Sequence, residues 1–390
     1  MPSETKRWRQ SLRVPFEYDV YFTDKVFAVD NDVFVSALAQ REPERRQRFV
    51  VLIDDGVAEA WPDLANDIRS YAEHHHERIE LVGEPLVVAG GEAAKNDPSH
   101  VDRIWRLLDR HGIDRHSYVV GIGGGAMLDW VGYAAATAHR GVRHVRLPTT
   151  VLGQADSGVG VKNGVNAFGK KNFVGTFAPP CAVLNDRDFL TTLGSRDTVA
   201  GMAEAVKVSL IRDARFYAWL SDNREALAAC RADDVTMLVR RCAELHLEHI
   251  RDGNDPFEMG SARPLDFGHW SAHKLESMSD YGLRHGEAVA VGMAIDILYS
   301  SLSGLCPRAI ADHVIELLQA LGFSLWHPAL DERGAESKLT VLGGLVEFRE
   351  HLGGELTITL IEDVGRALEV HAMDETLVEK AIAELRRLAP

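Results

Sequence analysis

The segment RFVVLIDD, residues 48–55, constrains the fold more than any other stretch of the chain. It is a continuous apolar run closed by two acids. A strand with one wet face alternates apolar and polar residues, so an unbroken run reads as a strand covered on both faces, as in a parallel sheet. The same texture returns in PLVVAGGE (85–92), HSYVVGIGGG (116–125) and VRHVRLPTT (142–150), with helices expected over 58–77 and 98–112. Strands alternating with helices over residues 1–190 predict an α/β domain with a doubly wound, Rossmann-like parallel sheet. Ahead of it, YDVYF and KVFAV suggest an edge strand, followed by a basic helix around REPERRQR.

After Asp188 the texture changes. TVAGMAEAVKVSLIRD, VTMLVRRCAELHLEHI, AVAVGMAIDILYSSL and ETLVEKAIAELRRL carry helical periodicity, and only ELTITLIED and RALEVHA read as a strand pair, near 355–371. Residues 191–390 are therefore expected as a mainly helical domain. At 390 residues the chain can bury two substantial cores. Its net charge of −15 argues against nucleic-acid and anionic-membrane partners. The longest apolar run, near 288–299, is too short to span a bilayer and carries Asp296. Four scattered cysteines, no CxxC pair and no apolar leader fit a cytoplasmic protein.

Chemistry is expected where these elements end. Gly123-Gly124-Gly125 closes a strand and opens a helix, and without side chains its backbone N–H groups can approach a pyrophosphate. Asp54 ends the neighbouring strand, where a carboxylate can accept from a ribose hydroxyl; alone it reads equally well as a solvated turn. Gly90-Gly91-Glu92 with Lys95 form a third strand end. Three in succession favour a nucleotide at the carboxyl edge of the sheet. The stretch 148–177 mixes glycines with Asp156, Lys162, Lys170, Lys171 and Asn172, as backbone closely applied to an anion would. Thr149, Thr150 and Asp156 can face a ribose or nicotinamide. Arg140 can join a phosphate pocket, or simply sit as a cation at a helix C-terminus.

A second site is written in RPLDFGHWSAHKLESMSDYGLRHGE, from Arg263 to Glu287. His269 and His273 are four apart, on one face of a helix. His285 opens the next helix after a Tyr281-Gly282 turn, and GMAEAVK upstream sets Glu204 and Lys207 three apart. Two histidines at this spacing are by themselves usually ordinary helix residues. One glutamate and two histidines from separate helices are a ligand set for a catalytic Zn²⁺ with an open position, and Co²⁺ suits the same donors. The whole implies a nicotinamide cofactor, one divalent metal and a small phosphate-bearing substrate between two domains.

These residues resemble the sugar phosphate cyclases, whose best-known member is 3-dehydroquinate synthase. The resemblance is carried by GGGAMLD, RGVRHVRLPTT, DSGVGVK, KKNFVGTF, GMAEAVK and the FGHWSAH…HGEAVAVGM tract. It implies an NAD-binding α/β domain, a helical metal-binding domain and a homodimer. It makes Glu204, His269 and His285 the metal ligands. It places Asp156, Lys162, Asn172, Lys207 and His273 in the substrate pocket, with Arg140 on phosphate and Arg263 and Asp266 in the tract before the first His ligand. Asp54, Glu92, Lys95, Gly124, Gly125, Asp129, Thr149, Thr150 and Lys171 fall on cofactor positions. The implied reaction is a lyase cycle: NAD⁺ oxidises a ring hydroxyl, phosphate leaves by β-elimination, the same NADH reduces the ketone, and an aldol addition closes a carbocycle.

Departures bear on the substrate. Asp266 stands where dehydroquinate synthases have Asn, Arg263 is one place closer to His269, His246 replaces a lysine, and EFREH (347–351) replaces an Asp-Lys-Lys segment. Lost cations weaken the fit to a substrate carboxylate. GVN, DPFE and the shifted arginine are more similar to the branch that cyclises sedoheptulose 7-phosphate to valiolone-type products, although His273 is kept where that branch tends to have proline. An outlying branch, similar to the cyclase of bacterial ebo clusters, fits this mosaic. The alternatives are an authentic 3-dehydroquinate synthase and a metal-dependent polyol or glycerol-type dehydrogenase. The latter usually has Asp at the place of Glu204 and lacks the lysine run. A non-catalytic binding protein would have no use for Glu204, His269, His285 and Lys207 together.

Overall fold

The computed structural model describes residues 5–253, 256–257, 264–334, 337–351 and 353–388. The N-terminal half is built on β1 (Asp19–Thr23), β2 (Gln47–Asp54), β3 (Ile79–Leu81), β4 (Leu86–Val88), β5 (Tyr118–Gly123) and β6 (Arg143–Pro148). An antiparallel hairpin, β7 (Lys162–Ala167) and β8 (Lys170–Phe177), precedes β9 (Ala182–Asp186). The main sheet runs β1-β9-β6-β5-β2-β3, with β4 also paired to β2. Every pair in it is parallel.

The run in 48–55 serves both faces of this sheet. Phe49, Val51 and Ile53 enter one core with Phe34 and Leu38 of α1 (Val33–Ala39) and Ile68 and Tyr71 of α3 (Leu64–His74), while the short α2 (Asp55–Ala60) lies between. Val50 and Leu52 enter the opposite core with Ile104 and Leu108 of α4 (Ser99–Arg110) and Met127, Leu128 and Val131 of α5 (Gly125–Thr137). Successive side chains of a strand point to opposite faces, so a strand covered twice reads as a continuous apolar run.

The C-terminal half is helical: α6 (Ser195–Arg212), α7 (Ala214–Asp222), α8 (Arg224–Ala228), α9 (Ala232–Asp252), α10 (His269–Met278), α11 (His285–Leu302), α12 (Arg308–Ala320), α13 (Gly343–His351) and α14 (Glu375–Leu388). The expected strand pair is β10 (Ile358–Asp363) with β11 (Arg366–Val370), antiparallel. α11 is the axis of this core and is buried on every side from Ala288 to Ser300. A helix apolar all round has to be.

Two local expectations fail. KVFAV forms turns, and the helix that follows is the apolar α1 rather than REPERRQR, whose end enters β2. The helix expected over 58–77 breaks after Ala60, because Pro62 lacks an N–H and pushes Trp61 out of the helical region, to φ −126°. The 148–177 stretch contains a π-helical turn at Gly153–Ser157 and the β7–β8 hairpin. Most important for the site, the chain leaves β2 toward β3 and β4 but returns to β5 on the other side. The carboxyl ends of β2 and β5 therefore flank a crevice at a topological switch point.

Candidate active site

α6, α10 and α11 converge closely because small residues let their backbones touch. At Gly268 (φ +80°), which precedes α10, an added Cβ would lie 2.6 Å from the Met293 nitrogen of α11. At Gly286 it would strike the Ala200 carbonyl of α6. This contact brings one oxygen of Glu204 and one nitrogen each of His269 and His285 within 4.8 Å of one another. His269 Nε2 is 3.8 Å and His285 Nε2 3.7 Å from Glu204 Oε1. Glu204 is fully buried, and its Oε1 has no hydrogen-bond donor. A buried carboxylate oxygen without a donor is costly unless a cation meets it. Burial, reinforced by Lys207 and the neighbouring histidines, holds the His269 ring well below the usual histidine range, so it presents a neutral nitrogen. The donor set fits a divalent metal.

Around this set lies a shell of paired charges. Lys207, one helical turn from Glu204, contacts its Oε2. Burial works against the Lys207 ammonium, but Glu204 and Asp156 outweigh it and raise its pKa. Asp156, on the π-helical turn, faces His246 of α9, with Nε2 to Oδ1 at 3.1 Å. His246 is buried, and its Nδ1 lies 3.1 Å from the Cys242 carbonyl. Burial disfavours the imidazolium, yet Asp156 holds the His246 pKa well above the ordinary range. His273, more exposed, stands with ring centroids 5.4 Å from His269 and 6.1 Å from His285. The Asp266 carbonyl accepts from His269 N at 3.0 Å, and the Asp266 carboxylate acts on the Lys207 charge.

The carboxyl edge of the sheet supplies the second half of the site. Asp54 caps α2, accepting from Gly56 N at 2.9 Å, and burial pushes its carboxyl up. It is thus an ordered cap rather than a solvated turn. α5 starts at Gly125, and its N-cap Gly124 gives no side-chain cap, which leaves first-turn N–H groups available to a pyrophosphate. Thr149 N donates to Gly123 O at 3.0 Å, and Thr150 Oγ1 accepts from Gly153 N at 3.0 Å. Lys95 is buried with its Nζ 2.8 Å from Asp129 Oδ2 and 3.6 Å from Glu92 Oε1, and it also contacts Asn172 Oδ1. Asn172, at φ +53° on β8, donates its N–H to Asn166 Oδ1 at 2.8 Å. These residues fit a dinucleotide at the switch point.

Arg140 is not brought here within the chain. Arg140 is exposed at the far end of α5, with φ +62°, about 20 Å of helix rise from the glycine turn. Arg263, with Asp255 and Glu258 of the DPFE motif, lies outside the described residues. Sequence reasoning passed over three residues. Glu276 is buried between Lys171 Nζ (2.8 Å) and His285 Nδ1 (3.3 Å), and its position on the face of His269 and His273 was a readable signal. Arg146 is buried and donates to the carbonyls of Gly158, Gly160 and Lys162 and to Asn163 Oδ1, fixing the strand that carries Lys162. Asp296 accepts from Gly268 N (3.0 Å) and Trp270 Nε1 (2.8 Å), which anchors the turn before His269.

This chain matches two family models in succession, 3-dehydroquinate synthase N-terminal over residues 85–200 and 3-dehydroquinate synthase C-terminal over 201–340. It belongs to the 3-dehydroquinate synthase family. It is 34% identical to a 2-epi-valiolone synthase of Actinosynnema mirum, over 87% of this chain and 86% of that one. A 3-dehydroquinate synthase of Rhodopirellula baltica is 35% identical over 73% of this chain and 74% of its own length. Among solved structures it is similar to ValA, the 2-epi-5-epi-valiolone synthase of Streptomyces hygroscopicus subsp. jinggangensis, determined with NAD⁺ and Zn²⁺ bound. That match has a TM-score of 0.84 and 28% identity, covering 98% of this chain and 100% of that one. The protein is thus an enzyme of the sugar phosphate cyclase kind.

Proposed function

We propose that this family member is a carbon–oxygen lyase that removes phosphate from a seven-carbon sugar phosphate without a carboxylate, sedoheptulose 7-phosphate, and closes the product to a carbocycle. The observation that carries this is the His246–Asp156 pair at 3.1 Å. By the resemblance, a dehydroquinate synthase has a lysine at the place of His246. Here the imidazole is buried, and its Nε2 faces the enzyme's own carboxylate rather than a substrate's. Asp266 adds a further negative charge near Lys207, which a carboxylated substrate would oppose. The similarity to valiolone-type synthases of two kinds supports the same reading.

In this reading Glu204, His269 and His285 hold Zn²⁺ or Co²⁺, and the crevice between Asp54, Gly124, Gly125 and Lys95 holds NAD. When bound, the metal polarises a substrate hydroxyl and the dinucleotide accepts and returns a hydride. Lys207, kept charged between Glu204 and Asp156, stabilises negative charge developing on substrate oxygen. His273 is the more exposed imidazole of the cluster and can move a proton at a ring nitrogen. Lys162 and Asn172 are carried by the two strands of one hairpin, and by the resemblance they are assigned to the substrate. The division at residue 190, a homodimer and a cytoplasmic location complete the proposal; among the described residues no helix is long and apolar enough to cross a membrane.

A second reading, authentic 3-dehydroquinate synthase, is favoured by the retained His273 and by the 35% identity to the Rhodopirellula baltica enzyme. Phosphate release from Zn²⁺- and NAD⁺-loaded protein, offered sedoheptulose 7-phosphate and the dehydroquinate precursor side by side, separates the two. Release with sedoheptulose 7-phosphate alone supports the proposal. Release with the carboxylated sugar overturns it.

A further inference from the structure

Lys171 and His285 belong to opposite halves of the molecule, yet both end on one carboxylate. Glu276 is 3% exposed. Its Oε1 accepts from Lys171 Nζ of β8 at 2.8 Å, and its Oε2 lies 3.3 Å from His285 Nδ1 at the start of α11. These last two atoms are both buried, and their present alignment falls short of a hydrogen bond. Neither has another hydrogen-bond partner. Each is therefore the other's available partner, at 3.3 Å. Leaving them unpaired would cost free energy on each side.

We propose that Glu276 is a positioning residue that ties the metal half of the site to the cofactor half. Accepting from Nδ1–H fixes the His285 tautomer, which leaves the Nε2 lone pair directed to the side of Glu204 Oε1, 3.7 Å away. Through its other oxygen the same carboxylate fixes Lys171, whose ammonium also feels Glu92 and Asp129 at the cofactor edge. Burial opposes the Lys171 charge, and Glu276 is the largest force restoring it. The two oxygens are rigidly related, so the position of the β8 lysine and the orientation of the α11 imidazole cannot vary independently. Glu276 is buried while His273, one turn earlier on α10, is exposed, so the link runs inside the protein wall.

The inference rests on the reading of the site as a metal and dinucleotide centre, and its test keeps the two apart. Zn²⁺ affinity is measured by competition with a chromophoric chelator and NAD⁺ affinity by calorimetry. The proteins compared are the full-length wild type, Glu276→Gln, Lys171→Met and the double variant, each with its melting temperature. Outer-partner loss commonly weakens metal binding about 10–100-fold, and Glu276→Gln should fall in that range. NAD⁺ binding should weaken in both single variants, with the double variant no worse than Lys171→Met alone, since Glu276 acts on the cofactor side through the lysine. Glu276→Asp, which keeps the acid but shortens the reach, should restore part of the Zn²⁺ affinity. Unchanged Zn²⁺ affinity in Glu276→Gln, or additive NAD⁺ losses in the double variant, overturns the inference. A wild type that binds neither Zn²⁺ nor NAD⁺ overturns the underlying reading instead.

Discussion

The two halves of the site solve the problem of buried charge in opposite ways. At the carboxyl edge of the sheet, Lys95 is already matched by Asp129 and Glu92, Asp54 is used as a helix cap, and the open groups are backbone N–H at the start of α5. The side-chain charges of this region are paired without a ligand, as in a preformed cradle. Between α6, α10 and α11, by contrast, Glu204 Oε1, Glu276 Oε2 and His285 Nδ1 are buried without hydrogen-bond partners. Glu276 Oε2 and His285 Nδ1 lie 3.3 Å apart and can meet each other, but Glu204 Oε1 is left for a cation. The cofactor side should thus be folded whatever is bound, and the metal side should gain stability on loading.

The sharpest way to break the contrast is Glu204→Gln. It removes the only carboxylate of the metal set, and phosphate release should fall by 10³-fold or more, about 4 kcal/mol of transition-state stabilisation. In the wild type Zn²⁺ should raise the melting temperature, and in the variant it should not. A variant whose melting temperature still responds to Zn²⁺ would locate the metal elsewhere. The matching change on the other side is Lys95→Met. It leaves Asp129 and Glu92 without their buried partner, which should cost about 2–4 kcal/mol of stability. Denaturant unfolding measures that loss, and the rise in melting temperature with Zn²⁺ should survive it. If Lys95→Met is neutral, the edge is not the pre-paired cradle described above.

A smaller effect comes from Asp296, under the metal helix. Burial pushes its carboxyl up to about 7, against donation from Trp270 and Gly268. A carboxyl raised above its unfolded value holds its proton more tightly in the folded chain. Its stabilising contribution is full below about pH 4 and is lost as the pH rises to about 7. The limiting slope is about 1.4 kcal/mol per pH unit for one group. Between pH 5 and 7 the wild type should lose stability relative to Asp296→Asn, even though the asparagine gives up one of two accepted hydrogen bonds. Parallel stability–pH curves for the two proteins would show that Asp296 does not titrate in this window.

How far the sequence could be read depended on whether a residue's role lay in its own segment. The buried strand in 48–55, the helical face of His269 and His273 and the spacing of Glu204 and Lys207 are local patterns, and each became the expected element. Glu276 sat in plain view at the helical spacing but was missed, because its importance comes from Lys171, 105 residues earlier. His246 was noticed only as a substitution; that it faces Asp156 required α9 to be laid against the π-helical turn. Arg140 was expected with the phosphate group, and its local setting at a helix end was also legible. Only the direction of α5 across the sheet shows that it lies at the far edge.

By itself, then, the sequence determined the parallel sheet, the helical second half and the residue types suited to a metal and a dinucleotide. These follow from periodicity, from glycine at strand ends and from donor chemistry, none of which needs a distant partner. The tertiary structure alone decided which charges are neutralised and which are left open. Whether Lys95 is spent on Asp129, His246 on Asp156 or Glu276 on two halves at once depends on elements far apart in the chain being packed to within hydrogen-bonding distance. At that range, in a low-dielectric interior, pairing sets the charge and reach of each group.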